Sequence, residues 1–327
     1  MEYARLGPTG VKVSRICVGC MSFGGPGVSG FEWTLGYEEA KDIIDRAIDL
    51  GINFFDTADA YSHGASEEIL GRALQGRRDD IVLATKVFNA TGQGPNDKGL
   101  SRKHVVRGLS ESLARLKTDY VDLYQIHRYD YETPDQELLM TMHDLVHERG
   151  SVRYIGASSM WAWQFAKLLD TSDRLGVDRF VSMQNQYNLC YREEEREMIP
   201  LCRRESIAII PWSPLARGFL SGKYHRGESL EGPRYDKDPL LKARYFTEPD
   251  FKVVEEVTTI AEQRGVTCSQ IALAWLLDKP FVTAPIVGLR SIQQLEELVG
   301  AIGIHLTKEE NQRLEAPYVP RAVQGFV

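Results

Sequence analysis

Residues 37–57 read YEEAKDIIDRAIDLGINFFDT. In the first fifteen, Ala40, Ile43, Ile44, Ala47, Ile48 and Leu50 fall mostly at helical spacing, and Gly51 stands where a helix C-cap would. INFFDT (52–57) follows, a short apolar run of strand length that closes on an acid. An amphipathic helix leading straight into an apolar strand is one unit of a parallel sheet covered by helices.

The unit recurs along the chain. Apolar runs stand at RICVGC (15–20), INFFDT (52–57), IVLATK (81–86), VDLYQIH (121–127), VRYIGAS (152–158), FVSMQ (180–184), IAIIPW (207–212) and TAPIVG (283–288). Helical patterns lie between them. SRKHVVRGLSESLARLK (101–117) starts at a plausible Ser101 N-cap and repeats apolar residues at Val105, Leu109, Leu113 and Leu116. PDQELLMTMHDLVHERG (134–150), SMWAWQFAKLLD (159–170) and SIQQLEELVGAIG (291–303) fit the same template. About eight strand–helix repeats specify an α/β fold, a (β/α)₈ TIM barrel, over residues 1–327 as a single domain. EYARLGPTGVKVS (2–14) reads as a β-hairpin that could close the barrel's bottom. A doubly wound nucleotide fold would want a glycine fingerprint after the first strand, but CMSFGGPGVSG (20–30) has proline inside the cluster and no helix pattern directly behind it. The longest interruption, residues 216–250 after strand seven, reads as a lid or cofactor-covering loop.

Bulk properties narrow the function. The 327 residues are 43% hydrophobic and 26% charged, ordinary for a soluble enzyme with a large core. A net charge of −7 and a pI near 5.6 argue against nucleic acid or acidic membranes as partners. No signal-peptide core or run of about twenty apolar residues is present, so a cytoplasmic protein is expected, with homo-oligomerisation open. Five cysteines do not make a disulfide framework. Cys17 and Cys20, three apart on a strand, would face opposite sides and could not share a metal.

The active end of a parallel barrel is where its strands finish. Asp56 closes the second run, Lys86 the third and His127 the fourth, with Tyr61 on the loop after Asp56. Each has an ordinary reading taken singly: a helix cap, a snorkelling lysine, a core histidine, a loop aromatic. Together they make chemical sense. A phenol is a poor acid at neutral pH, and a nearby ammonium stabilises its phenolate and lowers its pKa. Asp56 could hold Lys86 charged, and His127 could donate to a carbonyl oxygen, so the set suits proton delivery to that oxygen as hydride reaches the carbon.

At this point the chain resembles the aldo/keto reductase superfamily over nearly its whole length. The matching stretches are FFDTADAYSHGASEEILGRAL, IVLATKV, YVDLYQIHRYD, VRYIGASSM, VSMQNQYNL, IPWSPLARGFLSGKY and PIVGLRSIQQLEELV, in family order. GASSM and YREEEREMIPLC suggest a bacterial-type branch. The resemblance implies a barrel that uses a nicotinamide cofactor, with Asp56, Tyr61, Lys86 and His127 as catalytic tetrad and Tyr61 as general acid. It places Ser158, Ser159 and Gln184 at the nicotinamide amide, although the family usually has asparagine where Ser159 stands. Trp212 takes the place of the aromatic stacked on the nicotinamide ring, and Ser213, Leu215, Arg217 and Gly218 that of the loop over the pyrophosphate. Gly288, Arg290, Ser291, Gln294 and Glu297 fall around the adenosine end, with Arg290 the candidate for the 2′-phosphate. Leu298 stands where the family often has asparagine. NADPH is therefore favoured over NADH.

Met21, Phe23, Trp33, Phe88, Arg128 and Tyr129 are expected around the mouth, where a small carbonyl substrate would enter. Arg128 either attracts an anionic substrate or pairs with Asp130 or another local acid. Two rivals remain. His143 and His147 in HDLVH have zincin spacing, but Asp144 replaces the glutamate and the pattern lies away from the strand ends, so no metal is expected. Some relatives of this superfamily are cofactor-sensing channel subunits, which makes a regulatory role with little turnover the alternative to an enzyme.

Overall fold

The computed structural model describes residues 1–25, 27–28, 33–224, 226, 238–324 and 326. An antiparallel hairpin comes first, β1 (Tyr3–Arg5) and β2 (Lys12–Ser14). Eight parallel strands follow: β3 (Cys17–Gly19), β4 (Phe54–Asp56), β5 (Val82–Val87), β6 (Val121–Ile126), β7 (Val152–Ser158), β8 (Ser182–Gln184), β9 (Ala208–Ile209) and β10 (Ile286–Gly288). Each overlaps one of the apolar runs read from the sequence. They pair in chain order, and β10 pairs with β3 on the other side. Parallel bridges Ile209–Val282 and Trp212–Ile286, with the Ile286 amide donating to the Pro211 carbonyl at 2.9 Å, bring β9 against β10 and close the cylinder. This is the (β/α)₈ TIM barrel with its N-terminal hairpin.

Local chemistry fixes the flanking helices. Ser101 caps the helix Arg102–Leu116 by accepting from the His104 amide at 3.4 Å. Ser291 caps Ile292–Val299 in the same way. The helix Tyr37–Asp49 buries Ala40, Ile43, Ile44 and Ala47 and is followed by Gly51 at φ 83°. That positive φ is the reason for glycine there.

Strand alternation divides the interior into layers. Cys17, Phe54, Val82, Ala84, Leu123, Ala208 and Ile286 point into the barrel's lower half, where they pack with Leu6 and Val13 of the hairpin segment. The hairpin is thus a plug whose apolar side chains complete the inner core. At Gly7 an added Cβ would lie 2.3 Å from the Val181 carbonyl oxygen, so only glycine allows this seat. Phe55, Leu83, Tyr124 and Cys20 belong to the outer core beneath the helices. Cys17 and Cys20 do lie on opposite sides of the barrel wall, and burial pushes both thiols well above their usual range.

The expected lid is more ordered than a loop. It opens with a tight turn, Ala216–Ser221, and ends in the helices Pro239–Arg244 and Glu248–Arg264; 225 and 227–237 lie outside the described residues. Phe219 is fully buried, with ring centroids of Tyr245 and Phe246 at 5.9 and 4.9 Å. Both flanks are therefore anchored by aromatic packing.

Candidate active site

At the carboxyl ends of the strands the inward positions turn polar. Asp56 follows Phe54 by two, Lys86 follows Ala84, Gln125 follows Leu123, and Gln184 ends β8, so all four enter one layer above the apolar core. Lys86 is fully buried. Its Nζ lies 2.5 Å from Asp56 Oδ2, 2.7 Å from the Thr57 carbonyl oxygen and 3.2 Å from Tyr61 Oη. Burial alone would lower the lysine's pKa, but Asp56 and Tyr61 hold it above its ordinary value, so it is an ammonium ion. The other Asp56 oxygen accepts from Gln125 Nε2 and Gln184 Nε2, both at 2.9 Å. A buried ion pair of this kind persists when such hydrogen bonds satisfy its remaining lone pairs.

Tyr61 is placed by strained backbone. Ser62, His63 and Gly64 take left-handed φ values of 48°, 53° and 93° in succession, and a Cβ at Gly64 would meet Arg115 Cδ at 2.7 Å. Burial raises the phenol's pKa above its ordinary value, the Lys86 charge opposing and the Asp56 charge adding to the rise. The expected lowering by Lys86 is therefore present but outweighed: desolvation wins, and Tyr61 keeps its proton at neutral pH.

The His127 ring meets Tyr61 edge to face, centroids 5.7 Å apart. Burial and the charges of Lys86 and Arg128 hold the imidazole well below its usual pKa, so it is neutral. Asn89 Nδ2 lies 3.0 Å from His127 Nδ1. An amide nitrogen only donates, so Nδ1 accepts and the ring proton rests on Nε2.

The residues expected at the nicotinamide share one corner. Ser158 Oγ donates to the Gln184 carbonyl at 2.7 Å and lies 3.1 Å from Ser159 Oγ, which accepts from Trp212 Nε1 at 3.1 Å. Ser159, in place of asparagine, has φ 49°, and Asn185 Oδ1 takes its amide at 2.8 Å. Gln184 turns its side chain to Asp56 and Gln125, linking this corner to the tetrad. The Arg244 guanidinium lies 5.3 Å from the Trp212 ring centroid.

On the turn that follows Trp212, Ser213 and Arg217 have positive φ, Gly218 has φ 90°, and the Leu215 carbonyl accepts from the Gly218 amide at 2.8 Å. Arg217, which the resemblance puts in the loop over the pyrophosphate, has its buried guanidinium paired with Asp238 at 2.6 Å, which joins the turn to the start of the helix Pro239–Arg244. At the far corner Gly288 faces open space and Arg290 is exposed, with no ion pair among the described residues. Gln294 caps the Arg290 amide at 2.9 Å, and Glu297 accepts from Thr267 Oγ1 at 2.6 Å.

The mouth residues divide. Phe88 and Tyr129 are half-buried against the core and Met21 is partly exposed, whereas Phe23 is fully buried in the core and Trp33 nearly so. Arg128 does not pair with Asp130, which takes the Leu100 amide and Thr133; it donates to the His127 carbonyl at 2.7 Å and has no carboxylate partner among the described residues. Sequence reasoning missed Gln125, Asn89, Asn185 and Arg244. Of these only Gln125, two before His127 on the same strand, carried a signal in its spacing.

This barrel, with an acid, a lysine, a tyrosine and a histidine at consecutive strand ends, has the architecture of a carbonyl-reducing oxidoreductase. The aldo/keto reductase family model matches residues 15–318, and the chain belongs to that family. It is 43% identical to the versiconal hemiacetal acetate reductase of Aspergillus parasiticus, covering 99% of this chain and 98% of the relative. It is 38% identical to the aldo-keto reductase dtxS3 of Metarhizium robertsii, over 99% and 93% of the two chains. It is also 37% identical to the putative aryl-alcohol dehydrogenase AAD16 of Saccharomyces cerevisiae, over 98% of each. These relatives are fungal and carry the names of redox enzymes, which favours an oxidoreductase over a regulatory subunit. No helix among the described residues is long and apolar enough to cross a membrane.

Proposed function

We propose that the protein reduces aldehydes or ketones to alcohols with NADPH, and that Tyr61 is the general acid. The observation that carries this reading is the buried Lys86 ammonium held between Asp56 and the partly buried Tyr61. When bound, the nicotinamide cofactor supplies the hydride. The chain does the rest. A neutral His127, its proton on Nε2, orients the carbonyl oxygen by donating to it, and Tyr61 hands that oxygen a proton as negative charge develops there. Lys86 stabilises the phenolate left behind, and Asp56 keeps the lysine charged and aimed. Gln125 and Gln184 hold Asp56 in turn.

The cofactor-facing residues fit such a group by the chemistry of their donors. Ser158 and Ser159 offer hydroxyls beside Trp212, whose indole supplies a flat face. Gly288 leaves room for close approach, and the exposed Arg290 at a helix start suits a phosphate, which supports NADPH over NADH. The lid segment 216–250, tied by Arg217 to Asp238, would cover the bound cofactor.

The names of the relatives include an aryl-alcohol dehydrogenase, and the half-buried Tyr129 beside Tyr131 and Trp163 gives the mouth an aromatic wall. Aromatic aldehydes are therefore the first substrates to try, with anionic ones to test Arg128. In Tyr61→Phe, NADPH consumption should fall about 10²- to 10⁴-fold while fluorescence titration finds cofactor affinity little changed. Wild-type turnover in that variant would sink the assignment.

A further inference from the structure

The helix Asp135–His147 carries His143 and His147 one turn apart, so both imidazoles leave the same face. What the sequence does not reveal is a third donor opposite them. Asp178 Oδ2 lies 2.7 Å from His143 Nδ1 and 2.9 Å from His147 Nε2. The two rings stand 4.4 Å apart between centroids. One ligand atom from each residue lies within 4.8 Å of the others, a grouping that holds two imidazoles and one carboxylate.

Asp178 is held there by its surroundings. It follows the helix Ala162–Leu175, which ends on left-handed Gly176 (φ 67°), with the Val177 amide donating to the Ser172 carbonyl at 3.1 Å. On its other side Arg179 is pinned by Asp173 at 2.9 Å and Glu205 at 2.5 Å. His143 and Asp178 are each about a third exposed and His147 more than half, so an ion could reach the group from solvent.

We infer that His143, His147 and Asp178 form a binding site for a divalent transition-metal ion of the zinc type, with water completing the shell. Imidazole nitrogen and carboxylate oxygen are the ligands such ions choose, and three protein ligands with an open position is a known zinc arrangement. Zinc bonds of about 2.1 Å set ligand atoms roughly 3.4 Å apart in a tetrahedron. Seating the ion therefore asks the Asp178 oxygen to draw back by about 0.7 Å from the His143 ring and about 0.5 Å from the His147 ring, within reach of a partly exposed side chain. The site joins the end of one covering helix to the chain entering β8, at the end of the barrel opposite the tetrad. Its occupant would brace that end and take no part in the reaction.

The test is titration of metal-free protein with Zn²⁺ by calorimetry and with Co²⁺ by visible absorption. One ion per chain should bind, the Co²⁺ spectrum should show the intense bands of low coordination, and saturating Zn²⁺ should raise Tm by roughly 4 °C. His143→Gln/His147→Gln should abolish all three responses, and Asp178→Asn should weaken binding. Each variant should keep the wild-type circular dichroism and rate of NADPH consumption. No binding by wild-type protein at millimolar Zn²⁺, or equal binding by the double variant, would overturn the inference. Failure of the carbonyl-reduction reading would leave the binding, absorption and melting results untouched, since none of those three depends on turnover.

Discussion

The two ends of the barrel use the same strands to opposite purposes. In the lower half, β4, β5 and β6 send Phe54, Val82, Ala84 and Leu123 inward, and the hairpin segment caps them with Leu6 and Val13. One inward step further along, the same strands send in Asp56, Lys86 and Gln125. Below, stability comes from removing carbon from water. Above, groups that would be costly to bury are tolerated because each has a partner: Lys86 has three, and Asp56 has Lys86 and two amides. A barrel can carry buried charge when its polar layer is complete and its apolar layer supports it independently.

Breaking the upper layer should have the larger effect. Lys86→Met leaves Asp56 buried without its counter-ion, at a cost of about 3–5 kcal/mol. NADPH consumption should also fall at least 10²-fold, because Tyr61 loses the charge that stabilises its phenolate. Urea melts and steady-state rates on the same preparation read both. A variant of wild-type stability would show that the layer is less dry than its geometry implies.

In the lower layer, Phe54→Ala should cost about 3–5 kcal/mol through the cavity it leaves. Turnover per folded molecule should change little. The division of labour between the ends fails if this variant keeps its melting point and loses its rate.

The smallest effect sharpens the comparison at its boundary. Asp59 is buried on the loop between Asp56 and Tyr61, and among the described residues neither carboxylate oxygen has a hydrogen-bond partner of normal geometry. Burial, then the charge of Glu67, raise its pKa to about 7, against the Ala60 amide and Arg115. A carboxyl raised in the folded state favours folding most below its unfolded pKa, and that contribution is lost as pH rises through the folded value. Asp59→Asn should therefore gain in stability relative to wild type between pH 4 and pH 8, by on the order of a few kcal/mol at the upper end, read as a growing difference in Tm. A Tm difference independent of pH would mean that Asp59 is already ionised in the folded protein.

The layers themselves were largely legible in the sequence. Each apolar run contains or overlaps a strand, and where a run turns polar near its end, the inward position two beyond an inner apolar residue reaches the polar layer, because side chains alternate along a strand. Asp56, Lys86 and His127 are found this way. The phenol's raised pKa was not, since the balance between an ammonium and desolvation depends on how deeply Tyr61 is enclosed. Asn89 lies beyond its strand, where no period applies. The Arg217–Asp238 pair spans twenty-one residues, and Asp178 meets a histidine thirty-one positions away. Partners across such gaps become visible only when the fold brings the loops together.

The hairpin plug also says something about time. It is synthesised before the strands it seats against, yet Gly7 nests against Val181 and Ala208, and the inner cluster around Leu6 reaches Ile286. Its seat therefore does not exist until most of the chain has been made, and the apolar faces of Leu6 and Val13 must wait exposed through synthesis. Contacts this distant in sequence make closure of the base a late event, and the nascent chain is most vulnerable to aggregation in that interval.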